Sequence, residues 1–137
     1  MKKIFYLLAL IFAVQSQVQA QSEKATVYLL RPVGPDDYIP YFTYLNHNLL
    51  CKLGNGKYSI HEVDPGEYFL HEQYTVKVIS TPEADLQLLF DAGTSFYIQV
   101  SDPSKDFRKE KFYCKLLSED DAKEILKKPL VNDKKCL

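Results

Sequence analysis

The chain has 137 residues, with 17 Lys and Arg against 18 Asp and Glu, 46% apolar residues, ten tyrosines, three cysteines and no tryptophan. Charge is nearly balanced and the only basic concentration is around Lys134 and Lys135, so the basic stripe by which a protein holds nucleic acid is missing. The absence of tryptophan also weakens a carbohydrate platform.

In chain order, Met1-Lys2-Lys3 precedes an apolar run from Ile4 to Val14, and a polar stretch from Gln15 closes on Val18-Gln19-Ala20. A positive start, a short apolar core and a small-residue ending are the parts of a signal peptide, and the run is shorter than the ~20 residues of a membrane span. The expected leader is 1–20, with cleavage after Ala20. No cysteine stands there to accept a lipid, so the expected product is neither lipid-anchored nor membrane-spanning. The remaining chain of about 117 residues has the size of one domain, expected over 21–131 with a flexible tail over 132–137.

Ala25 to Leu30, rich in β-branched and aromatic residues, reads as a strand inside a sheet. Val33 to Pro40 carries Gly34, Pro35, Asp36, Asp37 and Pro40 and reads as a loop. Tyr41 to Leu45 and Leu49 to Leu53 form a hairpin through Asn46-His47-Asn48, residues that tolerate positive φ. Gly54-Asn55-Gly56 turns into a strand over Lys57 to Val63, and Asp64-Pro65-Gly66 into one over Glu67 to Tyr74. Leu86 to Phe90 and Ser95 to Val100 flank the turn Asp91-Ala92-Gly93-Thr94. In the latter strand Phe96, Ile98 and Val100 alternate inward. Phe107 to Leu117 repeats the pattern with Phe112, Cys114 and Leu116 inward. Ser118 caps a helix whose first turn holds Glu119, Asp120 and Asp121, and Pro129 ends it. Turn signals at roughly ten-residue spacing predict a mainly β fold, an antiparallel β-sandwich of immunoglobulin-like or transthyretin-like type, with one short C-terminal helix.

The residues that carry chemistry are few. His61 and His71 would face each other if their strands paired across Asp64-Pro65-Gly66, close enough to share an ion with Glu62 or Glu72, but their spacing matches no recognised metal motif. No metal, cofactor or catalytic residue is assigned, and the fold is expected not to depend on metal. Neither a Gly-x-Ser-x-Gly elbow nor a phosphate loop is present. Cys51 and Cys114 read as small core hydrophobes, and Cys136, beside Lys134 and Lys135, as the reactive thiol. Whether two of the three cysteines pair is open. Arg31, Tyr38, Tyr41 and Tyr44 gather around one strand end and loop, and from these a ligand or partner surface would be built. The alternatives are tyrosines covering sheet rims and an arginine paired with Glu62, Glu72 or a helix carboxylate.

Lys24-Ala-Thr-Val-Tyr-Leu-Leu-Arg-Pro32, then Leu53-Gly-Asn-Gly-Lys-Tyr58, Val63-Asp-Pro-Gly-Glu-Tyr68 and Asp91-Ala-Gly-Thr-Ser-Phe-Tyr97 succeed one another in an order that resembles a family of small exported bacterial proteins. Many of its members are lipoproteins, and it is defined only as a domain of unknown function. The resemblance runs from Lys24 to the helix near Lys128 and implies a sandwich displaying short loops, with no catalytic residues to transfer. Two departures are the missing lipid-accepting cysteine and Asn46-His47 where the family has Asp-Gly or Asn-Gly. The function expected is a non-catalytic binding or accessory module of the cell envelope, periplasmic or extracellular, with another envelope protein or a peptide as partner. The alternatives are an envelope enzyme of hydrolase type on the same scaffold and a purely structural subunit.

Overall fold

The computed structural model describes residues 23–34, 39–73, 86–101 and 113–136. The leader expected over 1–20, Tyr38, Tyr74 and the first part of the strand expected over Phe107–Leu117, including Phe112, lie outside the described residues. The strands are β1 (Ala25–Arg31), β2 (Tyr41–Leu45), β3 (Asn48–Leu53), β4 (Lys57–Val63), β5 (Gly66–Gln73), β6 (Leu86–Phe90), β7 (Ser95–Ser101), β8 (Tyr113–Leu117) and β9 (Val131–Asn132), with helix α1 (Glu119–Leu126) between the last two.

They form two sheets, a five-stranded one in the order β8-β7-β1-β4-β9 (sheet 1) and a four-stranded one in the order β3-β2-β5-β6 (sheet 2). The expected sandwich is present, and most pairs are antiparallel. Sheet 1 is nevertheless mixed: β1 runs parallel to β7, with Val27 opposite Phe96 and Leu29 opposite Ile98, and β9 runs parallel to β4. Local turn signals report only sequential antiparallel pairs, so they miss both. The turn Asp64-Pro65-Gly66 likewise does not close a hairpin, because β4 lies in sheet 1 and β5 in sheet 2.

Alternation fills the space between the sheets. Ala25, Val27 and Leu29 of β1 and Ile98 and Val100 of β7 meet Leu45, Leu53, Leu70, Leu88 and Phe90 from sheet 2, all buried. Each fully buried Leu or Ile contributes about 1.5–3 kcal/mol. On the opposite face of β1, Tyr28 and Leu30 pack as well, since α1 covers part of the outside of sheet 1. Leu30, Leu117 and Ala122 make a second small core there with Tyr28, Tyr58 and Tyr97 packed against it, and the Tyr28 and Tyr97 rings stack at 4.8 Å. Ser118 caps α1 as expected, its Oγ accepting from the Asp121 amide at 3.2 Å. Leu116 does not turn inward to burial: β8 is the edge strand of its sheet, and Leu116 stays exposed although its partner Ile98 is buried.

The tail is not loose. Val131 N donates to Gly56 O at 3.0 Å and Asp133 N to Tyr58 O at 2.8 Å, which builds β9 onto β4. Lys57 Nζ meets Asp133 Oδ2 at 2.8 Å, and Cys136 is disulfide-bonded to Cys51 of β3.

Candidate functional site

Of the four residues from which a surface was expected, Arg31, Tyr41 and Tyr44 are 3%, 5% and 9% exposed, so none of them presents a contact face; Tyr38 lies outside the described residues. Arg31 ends β1 on its inward side. Its Nη1 donates across the sandwich to Leu53 O at 2.8 Å and to Ile39 O at 2.7 Å, and its guanidinium lies 3.8 Å from the centre of the Tyr41 ring. It is a bracket between the sheets, its charge met by carbonyl dipoles and an aromatic face.

Glu72 lies on the inward side of β5, fully buried, where Thr43 Oγ1 donates to its Oε1 at 2.6 Å and Cys114 hydrogen-bonds to it. Desolvation raises its pKa to about 8 against the pull of Thr43, Arg31 and Cys114 toward the ionised form. At neutral pH this carboxyl is therefore largely protonated. Cys114 remains a half-buried thiol beside it.

The histidines do not meet. His61 points inward from β4 opposite Val27, whereas His71 stands on the outer face of β5 opposite Tyr44. The facing arrangement of His61 and His71 across Asp64-Pro65-Gly66, to which no metal was assigned, does not occur because that turn changes sheets. His71 instead lines the same groove as His47. The β2–β3 turn has positive φ at both Asn46 (46°) and His47 (68°), the primed geometry that matches strand twist. Asn46 then pins the turn to β5, its amide donating to Phe69 O at 3.0 Å and its Oδ1 accepting from Phe69 N at 2.9 Å. A groove of about 290 Å³ results, lined by Asn46, His47, Glu67, Phe69 and His71. Behind it Tyr44 lies against His71, with ring centres 6.4 Å apart, and Gln73 contacts both Tyr44 Oη and His71 Nε2. Phe69, 47% exposed, is the apolar member among polar groups. An apolar residue at an outward position of β5, between Glu67 and His71, is the sequence signal that points to this groove.

A second cluster lies inside. Cys51 and Cys136 are disulfide-bonded, with Cα atoms 5.0 Å apart, which overturns the reading of Cys136 as an exposed reactive thiol and of Cys51 as a plain core hydrophobe. Ser59 Oγ lies 3.4 Å from Cys51 Sγ and 2.9 Å from His61 Nε2, and His61 Nε2 lies 3.7 Å from Cys136 Sγ. Burial lowers the His61 pKa, disfavouring the charged ring.

No protein-family model matches the chain, and no curated protein is significantly similar to it. Among the described residues no helix is long and apolar enough to cross a membrane.

Proposed function

We propose that this chain is an exported, non-catalytic binding or accessory module of the bacterial cell envelope, which holds another envelope protein or a peptide at the outer face of sheet 2. The observation that carries this reading is the groove beside the β2–β3 turn. Half-exposed Phe69 supplies apolar contact there, while His47, Glu67 and His71 supply polar groups around it. An exposed aromatic ringed by directional polar groups is the arrangement of a recognition surface. Leu89, 64% exposed on β6 opposite Glu67, extends the apolar area. The partner fitted to it offers an apolar side chain for Phe69 and a basic or amide group for Glu67. Export is supported by the Met1-Lys2-Lys3 start, the apolar run and Val18-Gln19-Ala20, and the module reading by the resemblance to small exported domains.

Photo-crosslinking tests this directly. A photoreactive residue at Phe69 is expected to give one discrete adduct in native envelope, lost with Glu67→Lys; the same residue at Ile60, exposed on sheet 1, gives none. Equal adducts at both positions, or none at Phe69, would refute the assignment.

A further inference from the structure

We propose that the Cys51–Cys136 disulfide is one state of a two-state site, and that on reduction Cys51, Cys136 and His61 become the ligands of a zinc ion. The three side chains come from three separate parts of the fold: β3 in sheet 2, β4 in sheet 1 and the segment after β9. Their ligand atoms all lie within 4.8 Å of one another. A tetrahedral zinc ion, with Zn–S about 2.3 Å and Zn–N about 2.0–2.1 Å, sets S···N edges of about 3.6 Å and an S···S edge of about 3.8 Å. Cys136 Sγ already stands 3.7 Å from His61 Nε2. Breaking the disulfide lets the sulfurs move apart to the remaining edge, and the bound ion then takes the place of the S–S bond in joining β3 to the segment after β9. With the disulfide formed, Lys52 N donates to Cys136 O, and Val131 and Asp133 bond β9 to β4.

The surroundings suit the ion. Cys51 and Ser59 are fully buried, Cys136 is nearly so, and His61 is half-buried, an enclosed site with one partly open side. The Ser59 hydroxyl, now against both His61 and Cys51, is placed to donate to the Cys51 thiolate once His61 Nε2 turns to the metal, a supporting contact of the kind that orients ligands. The chemistry balances in two steps. A dithiol reductant gives two electrons and two protons to the S–S bond, leaving two protein thiols and becoming a disulfide itself. Zinc then binds two thiolates and the neutral imidazole and releases two protons. The fourth position is left for water, as in sites with three protein ligands.

The test uses the protein oxidised and dithiol-reduced, titrated with Zn2+ against a chromophoric chelator, with Co2+ as a spectroscopic probe. The reduced protein is expected to bind one equivalent of Zn2+ and to give thiolate-to-Co2+ charge-transfer absorption. The oxidised protein binds neither ion, and its melting is unchanged by chelator. His61→Ala, which still forms the disulfide and so reports its own folding in the oxidised state, weakens zinc at least about tenfold; Cys114→Ser and His71→Ala leave it unchanged. Zinc binding of equal affinity in the oxidised and reduced proteins, or an unaltered affinity in His61→Ala, would overturn the proposal.

Discussion

Glu72 shows how a single residue ties burial to pH. Its folded pKa of about 8 stands above the ordinary 4.5, so the folded state keeps a proton that the unfolded chain gives up. Below about pH 4.5 the carboxyl is protonated in both states and costs nothing. As pH rises from there to about 8 the unfolded chain ionises freely while the folded one does not, and stability falls across that window. Glu72→Gln replaces the protonated acid by a neutral isostere and is expected to flatten this fall, which is on the order of 3–4 kcal/mol in the wild type. Urea unfolding at about pH 5 and pH 8 measures it; parallel pH dependences in variant and wild type would contradict the neutral, buried carboxyl. The same environment explains why Arg31 was legible as important but not as internal. Its place at the end of an apolar strand marks it, but only the tertiary fold shows Leu53 and Ile39 carbonyls waiting on the far side.

Among the elements, whatever depends on neighbours in sequence could be read in advance. Asn46-His47 announces its turn, Ser118 its helix cap, and the alternation Phe96, Ile98, Val100 its inward face, because each signal is satisfied within a few residues. The path of the chain after Val63 could not be read. Asp64-Pro65-Gly66 turns equally well within a sheet or between sheets, and which occurs depends on the partners β1 and β2 offer. Strand β9 is two residues long and exists because β4 has an open edge, which nothing near Val131 encodes. The β2–β3 turn also yields a prediction. His47 holds φ at 68°, a conformation that costs a non-glycine residue about 1–2 kcal/mol. His47→Gly is therefore expected to stabilise the protein by about 1 kcal/mol, offset in part by the greater freedom glycine has in the unfolded chain. Thermal melting of the variant reads the gain; a loss of stability would show that the His47 side chain makes contacts worth more than the backbone strain.

For the whole molecule, the decisive link joins residues 85 positions apart, a pairing that three cysteines in sequence leave undetermined. It ties β3, the edge of sheet 2, to the segment after β9, the edge of sheet 1, and so staples the two layers along one side of the sandwich. Arg31 bridges the layers within the core by hydrogen bonds, whereas the disulfide does so covalently and restrains the unfolded chain. Closing a loop of that length removes about 4–5 kcal/mol of conformational freedom from the unfolded state in the chain-entropy picture. Cys136→Ser, and dithiol reduction of the wild type in the presence of a chelator, are each expected to lower the unfolding free energy by about 3–4 kcal/mol. Hydrogen exchange separates the local part of that loss from the global one. The Val131 and Asp133 amides, bonded to Gly56 and Tyr58 carbonyls, should lose protection first, while amides of β1 in the middle of sheet 1 stay protected until the molecule unfolds as a unit. An unfolding free energy that reduction leaves unchanged, with Val131 and Asp133 still protected, would mean that β9 and the Lys57–Asp133 ion pair hold the tail without the disulfide.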